Sequence, residues 1–401
     1  METLIKGARI VDFSKDFIGD VYIKEGYISE IGKELKKDCK IINGEGYTLL
    51  PSFIDMHSHF REPGFTYKED LNSGSRAAAR GGYAAVNLMA NTKPVCSNME
   101  IVNYVMNKGK DINLVDIYQT VSITRDLQGE DISHLDKIEY PVRYISDDGR
   151  GVSNSKIMLD AMIKAKEKGL KVMSHAQSEE FTETSTRLAE NLMTWRDITL
   201  SKFTGCALHL AHVSTKEAME YVIQGKKDGV NISCEVTPHH IALTSKTLYK
   251  VNPPLRERED VNYIIEAIKD GWVDVLATDH APHTAEDKIA GAPGISGLET
   301  AFSSSYTKLV KEGHISLNKL SELMSKRPGE LMGLNKGKIE IGYEGDLVLV
   351  DTENVYTINS KEFSSKGKNT PFNGKRVFGE VLMTIKRGKI VYKHIKFGGV
   401  D

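Results

Sequence analysis

Eight short apolar segments recur through the middle of the chain, and this repetition limits the fold more than any other feature. They follow one another mostly at intervals of roughly 25 to 35 residues, with helix-like segments between them. The eight segments are residues 53–60, 83–91, 112–123, 141–148, 170–177, 206–214, 231–240 and 273–283. Parallel strands joined by helices show this pattern, so the sequence predicts repeated β/α units.

Eight parallel units predict an α/β fold built on a closed, TIM-like (β/α)8 barrel, which we assign to residues 51–334. An open doubly wound sheet is the alternative, but the first strand is not followed by G-x-G-x-x-G and no P-loop sequence occurs. In residues 1–50 and 335–401, short strands separated by glycine and charged turns replace the helix-like pattern. We expect these two ends to form one small, discontinuous β-sandwich domain.

The segments between the predicted strands carry helix signals. Apolar residues recur at helical spacing from Ile157 to Ala165, until Gly169 interrupts the pattern. Ser214 and Glu217 have the spacing of a capping box at the start of another helix. These signals predict amphipathic helices that cover the strands.

Charge and composition exclude several classes of partner. Lys and Arg number 53 against 55 Asp and Glu, without a basic stripe, so nothing favours nucleic-acid binding. Lys6 and Arg9 interrupt the N-terminal apolar residues, and no apolar run of membrane-spanning length occurs. The four cysteines lie far apart, as expected of reduced thiols. We therefore expect a cytoplasmic protein that binds neither nucleic acid nor membranes.

Histidine and aspartate side chains lie at the ends of several predicted strands. His57 and His59 are two residues apart, so they can share one face of a strand, although such a pair alone is a weak metal signal. His175, His212 and Asp279 lie at the ends of strands five, six and eight. Because a barrel brings these ends together, imidazole and carboxylate groups would converge. Such a set predicts a site for a divalent ion such as Zn²⁺.

The fourth predicted strand ends in two carboxylates, Asp147 and Asp148. Either could bridge two metal ions, although Asp-Asp-Gly is also an ordinary polar turn. A carboxylated lysine cannot take the bridging position on this strand, because residues 141–151 contain no lysine. The residues alone leave both aspartates as candidates.

The motifs DMHSHFREPG, MANTKP, SDDG, SHAQ, LAHVST, EVTPHH, NPPLR and ATDHAPH together resemble those of a known family. They are similar to the motifs of the dihydroorotases of the amidohydrolase superfamily, in the class whose bridging ligand is aspartate. The resemblance covers nearly the whole chain. It implies a metal-dependent hydrolase with two Zn²⁺ ions per subunit. The implied reaction is the reversible cyclisation of N-carbamoyl-L-aspartate to (S)-dihydroorotate in pyrimidine biosynthesis.

The resemblance also implies individual roles. It assigns six metal ligands, with Asp148 as the bridge: His57, His59, Asp148, His175, His212 and Asp279. Asp279 resembles the catalytic acid and base as well. The implied substrate contacts are Arg61, Asn91 and His283 for the carboxylate, with Asn252, Pro293 and Gly294 as further contacts.

Some questions stay open at this stage. Another cyclic amidohydrolase, acting on hydantoin or allantoin, would share the metals and the fold. An inactive dihydroorotase-like protein that scaffolds aspartate transcarbamoylase is the non-enzymatic alternative. We expect a homodimer, with association with aspartate transcarbamoylase as a further interaction. The polar segment 283–294 predicts a mobile loop, and His239 and His240 predict a supporting role behind the metal ligands.

Overall fold

The computed structural model describes residues 2–399. The strands in that range are β1 (Glu2–Val11), β2 (Asp16–Lys24), β3 (Tyr27–Gly32), β4 (Lys40–Asn43), β5 (Thr48–Pro51), β6 (Phe53–Ser58), β7 (Tyr83–Leu88), β8 (Asp116–Gln119), β9 (Tyr144–Ile145), β10 (Lys171–Ser174), β11 (Leu208–Leu210), β12 (Ile232–Val236), β13 (Val275–Leu276), β14 (Leu347–Thr357), β15 (Arg376–Lys386) and β16 (Lys389–Lys393). A strand lies in each of the eight predicted segments.

Helices separate most of the central strands. They are α1 (Leu71–Arg80), α2 (Met99–Ile112), α3 (Ser155–Glu167), α4 (Glu179–Thr182), α5 (Thr186–Thr204), α6 (Lys216–Lys227), α7 (Pro238–Ala242), α8 (Arg258–Lys269), α9 (Ala285–Ile289), α10 (Ala301–Ser305), α11 (Leu317–Ser321) and α12 (Arg327–Met332). Two π-helical segments, Tyr306–Lys311 and Glu322–Lys326, continue α10 and α11. Within residues 2–399, no helix is both long and apolar enough to cross a membrane.

Local sequence explains where the predicted helices begin. The Asn154 side chain accepts hydrogen bonds from the first backbone N–H groups of α3, whose Met158 and Ala161 are buried as predicted. The predicted capping box at α6 is wrong, because Thr215 is the N-cap and accepts from the backbone N–H of Ala218. The Ser214 hydroxyl donates instead to Glu190, a buried carboxylate on α5. Because the Ser214 hydroxyl is bonded to Glu190, it does not cap α6, and the neighbouring Thr215 does.

The central strands form two parallel sheets, in the orders β6-β7-β8 and β13-β12-β11-β10-β9. Isolated parallel bridges join their outer strands, Ser58 with His280 at one edge and Val121 with Ile145 at the other. Parallel pairing points the carboxyl ends of these strands in one direction. Side chains at those ends therefore meet on one side of the sheets.

The two ends of the chain contribute strands to one eight-stranded sheet. β5 joins them, because it pairs with β1 on one side and with β14 on the other. β4 pairs with residues 3–6 of β1, and β5 pairs with residues 9–10 of the same strand, so the sheet branches at β1. Apolar residues from both ends form a separate core cluster that includes Ile10, Leu49, Leu347 and Ile385. Strands from both β-rich ends thus belong to one sheet.

Candidate active site

The Asp148 carboxylate lies among four histidine rings at the carboxyl ends of the central strands. Its two oxygens approach a ring nitrogen of each: Oδ1 is 3.1 Å from His57 Nε2, 3.4 Å from His175 Nδ1 and 3.8 Å from His212 Nε2, and Oδ2 is 3.4 Å from His59 Nε2. All five residues are buried. A carboxylate that faces four imidazole nitrogens has the geometry of a group shared between two cations.

Asp279 approaches two of these histidines, His57 and His59. Its Oδ1 is 3.2 Å from His59 Nε2 and 3.7 Å from His57 Nε2. The ligand atoms of His57, His59 and Asp279 all lie within 4.8 Å of one another, and so do those of His57, Asp148 and His212. The structure therefore brings together the six residues predicted as metal ligands.

One feature in particular shows that this donor set fits metal ions. His57 Nε2 is fully buried and has no hydrogen-bond partner, although Asp148 is close. A buried polar atom without a partner costs free energy unless it binds a cation. His175 Nδ1 and His212 Nε2 lie 2.8 Å apart, so these two nitrogens are close enough to share one partner. Imidazole and carboxylate donors are those that Zn²⁺ accepts.

Asp147 points away from the histidines. Its carboxylate accepts hydrogen bonds from the backbone N–H of Thr124, at 3.0 Å, and from the Thr124 hydroxyl. Burial raises the pKa of Asp147 to about 6. Of the two candidate carboxylates, only Asp148 faces the metal-binding groups.

Glu235 on β12 holds His57 in one orientation. The His57 Nδ1 atom is 2.6 Å from Glu235 Oε1, and an ionised carboxylate only accepts, so Nδ1 carries a proton and Nε2, which faces Asp148, is the atom available to bind a metal ion. Glu235 also accepts from His209 Nε2, at 3.1 Å, and from the backbone N–H of His212, at 3.3 Å. Although burial raises the pKa of Glu235, His57 and His209 lower it to about 2.

Neither Glu235 nor His209 was among the site residues predicted from the sequence. The available signal was a carboxylate inside the apolar strand ISCEV, because an acidic side chain at such a position is seldom buried without a partner. His239 and His240 are buried behind the site, where His240 contacts the Thr237 hydroxyl and the Pro253 carbonyl. These contacts agree with the supporting role predicted for His240.

Two amides orient the other histidines. His59 Nδ1 lies 2.8 Å from Asn91 Oδ1, and the Asn91 amide nitrogen lies 3.3 Å from Asp148 Oδ2. His175 Nε2 lies 2.8 Å from Gln177 Oε1, which also accepts from Asn252 at 2.8 Å. Asn91 and Asn252, predicted as substrate contacts, therefore also support metal-binding groups.

Arg61 lies at the rim of the site beside His283. Its Nη2 is 3.3 Å from His283 Nε2, and its Nε donates to the Pro282 carbonyl at 3.4 Å. No salt bridge links Arg61 to a carboxylate within residues 2–399. Burial lowers the pKa of His283 to about 4, with help from Arg61 and Lys68, so His283 is neutral near pH 7. The rim thus presents a cation without an anionic partner.

A cavity of about 200 Å³ lies above the histidines and opens to solvent. Its lining includes every predicted site residue except His57: His59, Arg61, Asn91, Asp148, His175, His212, Asn252, Asp279, His283, Pro293 and Gly294. At Gly294 the backbone φ is 135°, and a β-carbon would lie 2.7 Å from the Ala281 carbonyl oxygen. A larger residue would therefore not fit at this part of the wall.

Comparison with known proteins gives the family. The amidohydrolase family model matches residues 48–391. The dihydroorotase of Clostridium botulinum (strain Eklund 17B / Type B) is 56% identical over 98% of this chain and 100% of its own length. The dihydroorotase of Acetivibrio thermocellus is 38% identical over 97% of this chain and 99% of its own. The chain belongs to the dihydroorotase family of amidohydrolases. It is therefore a cyclic amide hydrolase, and amidohydrolases depend on metal.

Solved structures that resemble this member of the dihydroorotase family support the α/β fold with an additional sheet domain. The dihydropyrimidinase of Brevibacillus agri NCHU1002 matches with a TM-score of 0.89 and 23% identity, over 100% of this chain and 96% of that one. The L-hydantoinase of Arthrobacter aurescens matches with a TM-score of 0.90 and 23% identity, over 98% and 96%. At this identity the likeness establishes the fold alone.

Three site residues of this dihydroorotase-family chain have a left-handed backbone. The φ angles are 61° at Arg61, 34° at His212 and 46° at Asp279. Such angles are costly for residues with a β-carbon and persist only where the surroundings enforce them. β6 ends at Ser58, so His59 and Arg61 lie beyond the strand. The strand face predicted for His57 and His59 therefore does not account for the direction of His59.

The segment 283–294 is folded rather than irregular. Thr284 and Asp287 form a capping box at the start of α9. Lys288 Nζ donates to the carbonyl groups of Lys250, Ala292 and Gly294. The mobility predicted for this segment remains a prediction.

Proposed function

We propose that this chain interconverts (S)-dihydroorotate and N-carbamoyl-L-aspartate, with two Zn²⁺ ions in the histidine cluster. One observation carries the proposal: a half-buried arginine, Arg61, has no salt-bridge partner within residues 2–399 and lies beside a set of four histidines and two aspartates. Such a site can hold an acidic ring at its carboxylate while the metal centre acts on its amide. The names of the similar proteins agree with this substrate.

The donor groups divide into two sets that share Asp148. His57, His59 and Asp279 would hold one ion, His175 and His212 the other, with Asp148 between them. Bound divalent ions would lower the pKa of the attacking water and polarise the ring carbonyl. The contacts of Glu235, Asn91 and Gln177 support this division, because each leaves the free nitrogen of its histidine directed at the shared site.

The substrate carboxylate would bind at the rim. The planar Arg61 guanidinium can form two parallel hydrogen bonds to a carboxylate, which adds charge pairing to fixed geometry. Neutral His283 can donate a hydrogen bond or accept one from Arg61. Binding would give Arg61 the anionic partner that its surroundings lack and would fix the ring above Asp279. Asn91, Asn252, Pro293 and Gly294 complete the lining.

Asp279 is the proposed acid and base. In the ring-opening direction it accepts a proton from the attacking water and donates it to the ring nitrogen as the C–N bond breaks. Although burial opposes ionisation, His59 and His57 hold the pKa of Asp279 below its usual value, which keeps the carboxylate ionised and ready to accept the proton. The reverse sequence closes the ring and releases water.

We further propose that residues 51–334 form a closed (β/α)8 barrel and that residues 1–50 and 335–401 form a separate β-sandwich domain. Residues 1, 400 and 401 of these ranges lie outside the part of the chain that the structure describes. The two bridges between the outer strands of the central sheets support closure. The site then lies at the carboxyl ends of the barrel strands, as in other barrel enzymes.

The proposed working form is a homodimer in the cytoplasm. The four cysteines are free thiols, which suits a reducing compartment. Association with aspartate transcarbamoylase is a further proposal that the structure neither requires nor opposes.

Three measurements on the purified chain test the proposed function: metal content, hydrolysis of dihydroorotate, and hydrolysis of hydantoin and allantoin. We expect zinc, activity on dihydroorotate, loss of activity with a chelator and recovery when zinc is restored. Asp279→Ala should lower kcat by roughly 10²- to 10⁴-fold. Turnover of hydantoin or allantoin in preference to dihydroorotate would replace this substrate assignment. A zinc-loaded chain without any activity would favour the scaffold alternative.

A further inference from the structure

Helix α5 presents an apolar stripe to solvent. Leu188 and Leu192 are 40% and 42% exposed, Trp195 is 57% exposed and Phe203 is 78% exposed. Their spacing, together with the exposed Thr199, places all of them on one face of the helix. We call these five residues the α5 stripe. A solvent-facing helix surface is normally polar, so four large apolar side chains in one row indicate an interaction surface.

The α5 stripe does not serve the core of its own chain. The opposite face of α5 carries the buried residues Ala189, Met193 and Ile198, and the helix packs against α3 and α6. The helix is thus packed on its own chain through that inner face, and the stripe lies on the surface, where it can contact another molecule.

The charges of α5 are already neutralised within its own chain. Arg187 pairs with Asp260 at 2.6 Å, and Lys202 pairs with Asp228 at 2.8 Å. Arg196 pairs with Asp197 at 2.7 Å. A second copy placed on this face would bring no unpaired like charge against the first. A strongly charged partner, in contrast, would find no complementary charge here.

The pattern of the stripe is self-complementary. It runs from residue 188 to residue 203, and Trp195 lies next to its midpoint. In an antiparallel pair of α5 helices, Leu188 of one copy faces Phe203 of the other, Leu192 faces Thr199, and the two Trp195 side chains lie beside the two-fold axis. A two-fold interface uses the same patch on both copies, so each residue of one copy must fit the residue that the rotation places opposite it.

The stripe supplies a large part, but not all, of the area that a stable dimer requires. With aromatic side chains of about 150–250 Å², the exposed fractions give roughly 400 Å² of apolar surface per copy. Two copies would thus bury about 800 Å² from the stripe alone. Polar neighbours on the same helix would bring the total toward the lower end of the range of roughly 1,200–2,000 Å² for specific interfaces.

We propose that two copies of this chain associate through antiparallel packing of their α5 stripes. This proposal rests on the homodimer proposed above and specifies its interface. It does not depend on the substrate, since none of the stripe residues lines the cavity of the active site.

The first test compares the molar mass in solution of the unaltered chain, Trp195→Glu and Ile395→Glu. Ile395 is 96% exposed and lies far from α5 in sequence, so it is the matched control. We expect a dimer for the unaltered chain and the control, and a monomer with half that mass for Trp195→Glu. Dihydroorotate hydrolysis and the melting temperature report whether each variant is folded. A monomeric unaltered chain, or a dimeric Trp195→Glu variant, would overturn the proposal.

The second test measures the register and does not rely on disruption. In a Cys39→Ser background, which removes the one partly exposed native thiol, Trp195→Cys should cross-link to itself under mild oxidation. Leu188→Cys and Phe203→Cys should cross-link to each other when mixed and much less to themselves. Self-linking of Leu188→Cys in preference to the mixed pair would refute antiparallel packing. Binding of a different protein to this face of a monomeric chain would refute self-association.

Discussion

Replacing Glu235 by glutamine tests how far the metal centre depends on residues that do not touch the metal. The carboxylate is fully buried and accepts from His57, His209 and the backbone of His212 through two oxygens. Glutamine keeps the shape but has one acceptor oxygen and one NH₂ group. If the oxygen stays with His57, the NH₂ group faces the His209 ring. If it turns to His209, the NH₂ group faces His57 Nδ1.

In the second arrangement His57 must move its proton to Nε2, the atom that faces Asp148 and would bind the metal. Loss of a carboxylate that orients a ligand histidine typically costs 10- to 100-fold in metal affinity. This range corresponds to about 1.4–2.7 kcal/mol. We expect Glu235→Gln to weaken zinc binding by this amount, with a matching rise in the zinc concentration needed for half-maximal activity.

The assay is competition for zinc against a chromophoric chelator, supported by the melting temperature of the metal-free protein. Asp274→Asn is the matched control. Asp274 is also a buried carboxylate, but it pairs with Lys226 and Arg327 away from the cavity. Its replacement should lower stability and leave zinc affinity unchanged. Unchanged zinc affinity in Glu235→Gln, or an equal loss in both variants, would refute the orienting role of Glu235.

Four further results are expected. Arg61→Lys should raise KM for dihydroorotate about 10- to 100-fold with a smaller change in kcat, since lysine cannot form the bidentate pair; steady-state kinetics with an unchanged KM would contradict this. Asp148→Asn should reduce bound zinc whereas Asp147→Asn should retain it, and metal analysis showing the reverse would exchange their assigned roles. Lys336→Met should lower the unfolding free energy by about 3–5 kcal/mol, because the buried Asp346 loses the only cationic partner it has in the described part of the chain and Asp116 and Glu344 each lose one of theirs. Although burial lowers the pKa of Lys336, these carboxylates raise it above its ordinary value, so Lys336 stabilises the fold fully at every pH below the ordinary lysine pKa. Urea unfolding of Lys336→Met should therefore show a similar loss of stability from pH 6 to pH 9. A loss that vanishes within this interval would refute the assignment. Segment 283–294 should exchange amide hydrogens rapidly without ligand and more slowly with dihydroorotate, and strong protection without ligand would contradict the predicted mobility.

The arrangement of strands and the general position of the site were predictable from the sequence. Apolar runs with polar ends repeat along the chain, and this periodicity is a local property of the residues. Because parallel strands end on one side of the sheet, His175, His212 and Asp279 could be expected to converge without knowledge of any contact. The motifs added the family and the individual roles.

The directions of the side chains depended on the tertiary structure. Alternation along a strand gives two faces, but the pairing of β6 with β7 shifts register between Asp55 and Ser58, next to His57. Beyond the strand, the left-handed backbone at Arg61 directs its side chain to His283. The prediction that His57 and His59 share one strand face therefore placed them in the same site correctly, but His59 lies beyond the end of the strand.

The sequence by itself determined which residue types occur at the strand ends, and therefore that this chain carries a metal-type donor set on a β/α framework. Only the tertiary structure decided that Asp148 rather than Asp147 faces the histidines, that Glu235 fixes the protonated nitrogen of His57, and that α5 presents an apolar stripe on the surface of the chain. The physical reason is the separation along the chain between the residues that interact. Strand and helix patterns arise from neighbours along the chain, whereas the partner of a buried polar group comes from any element that packs against it.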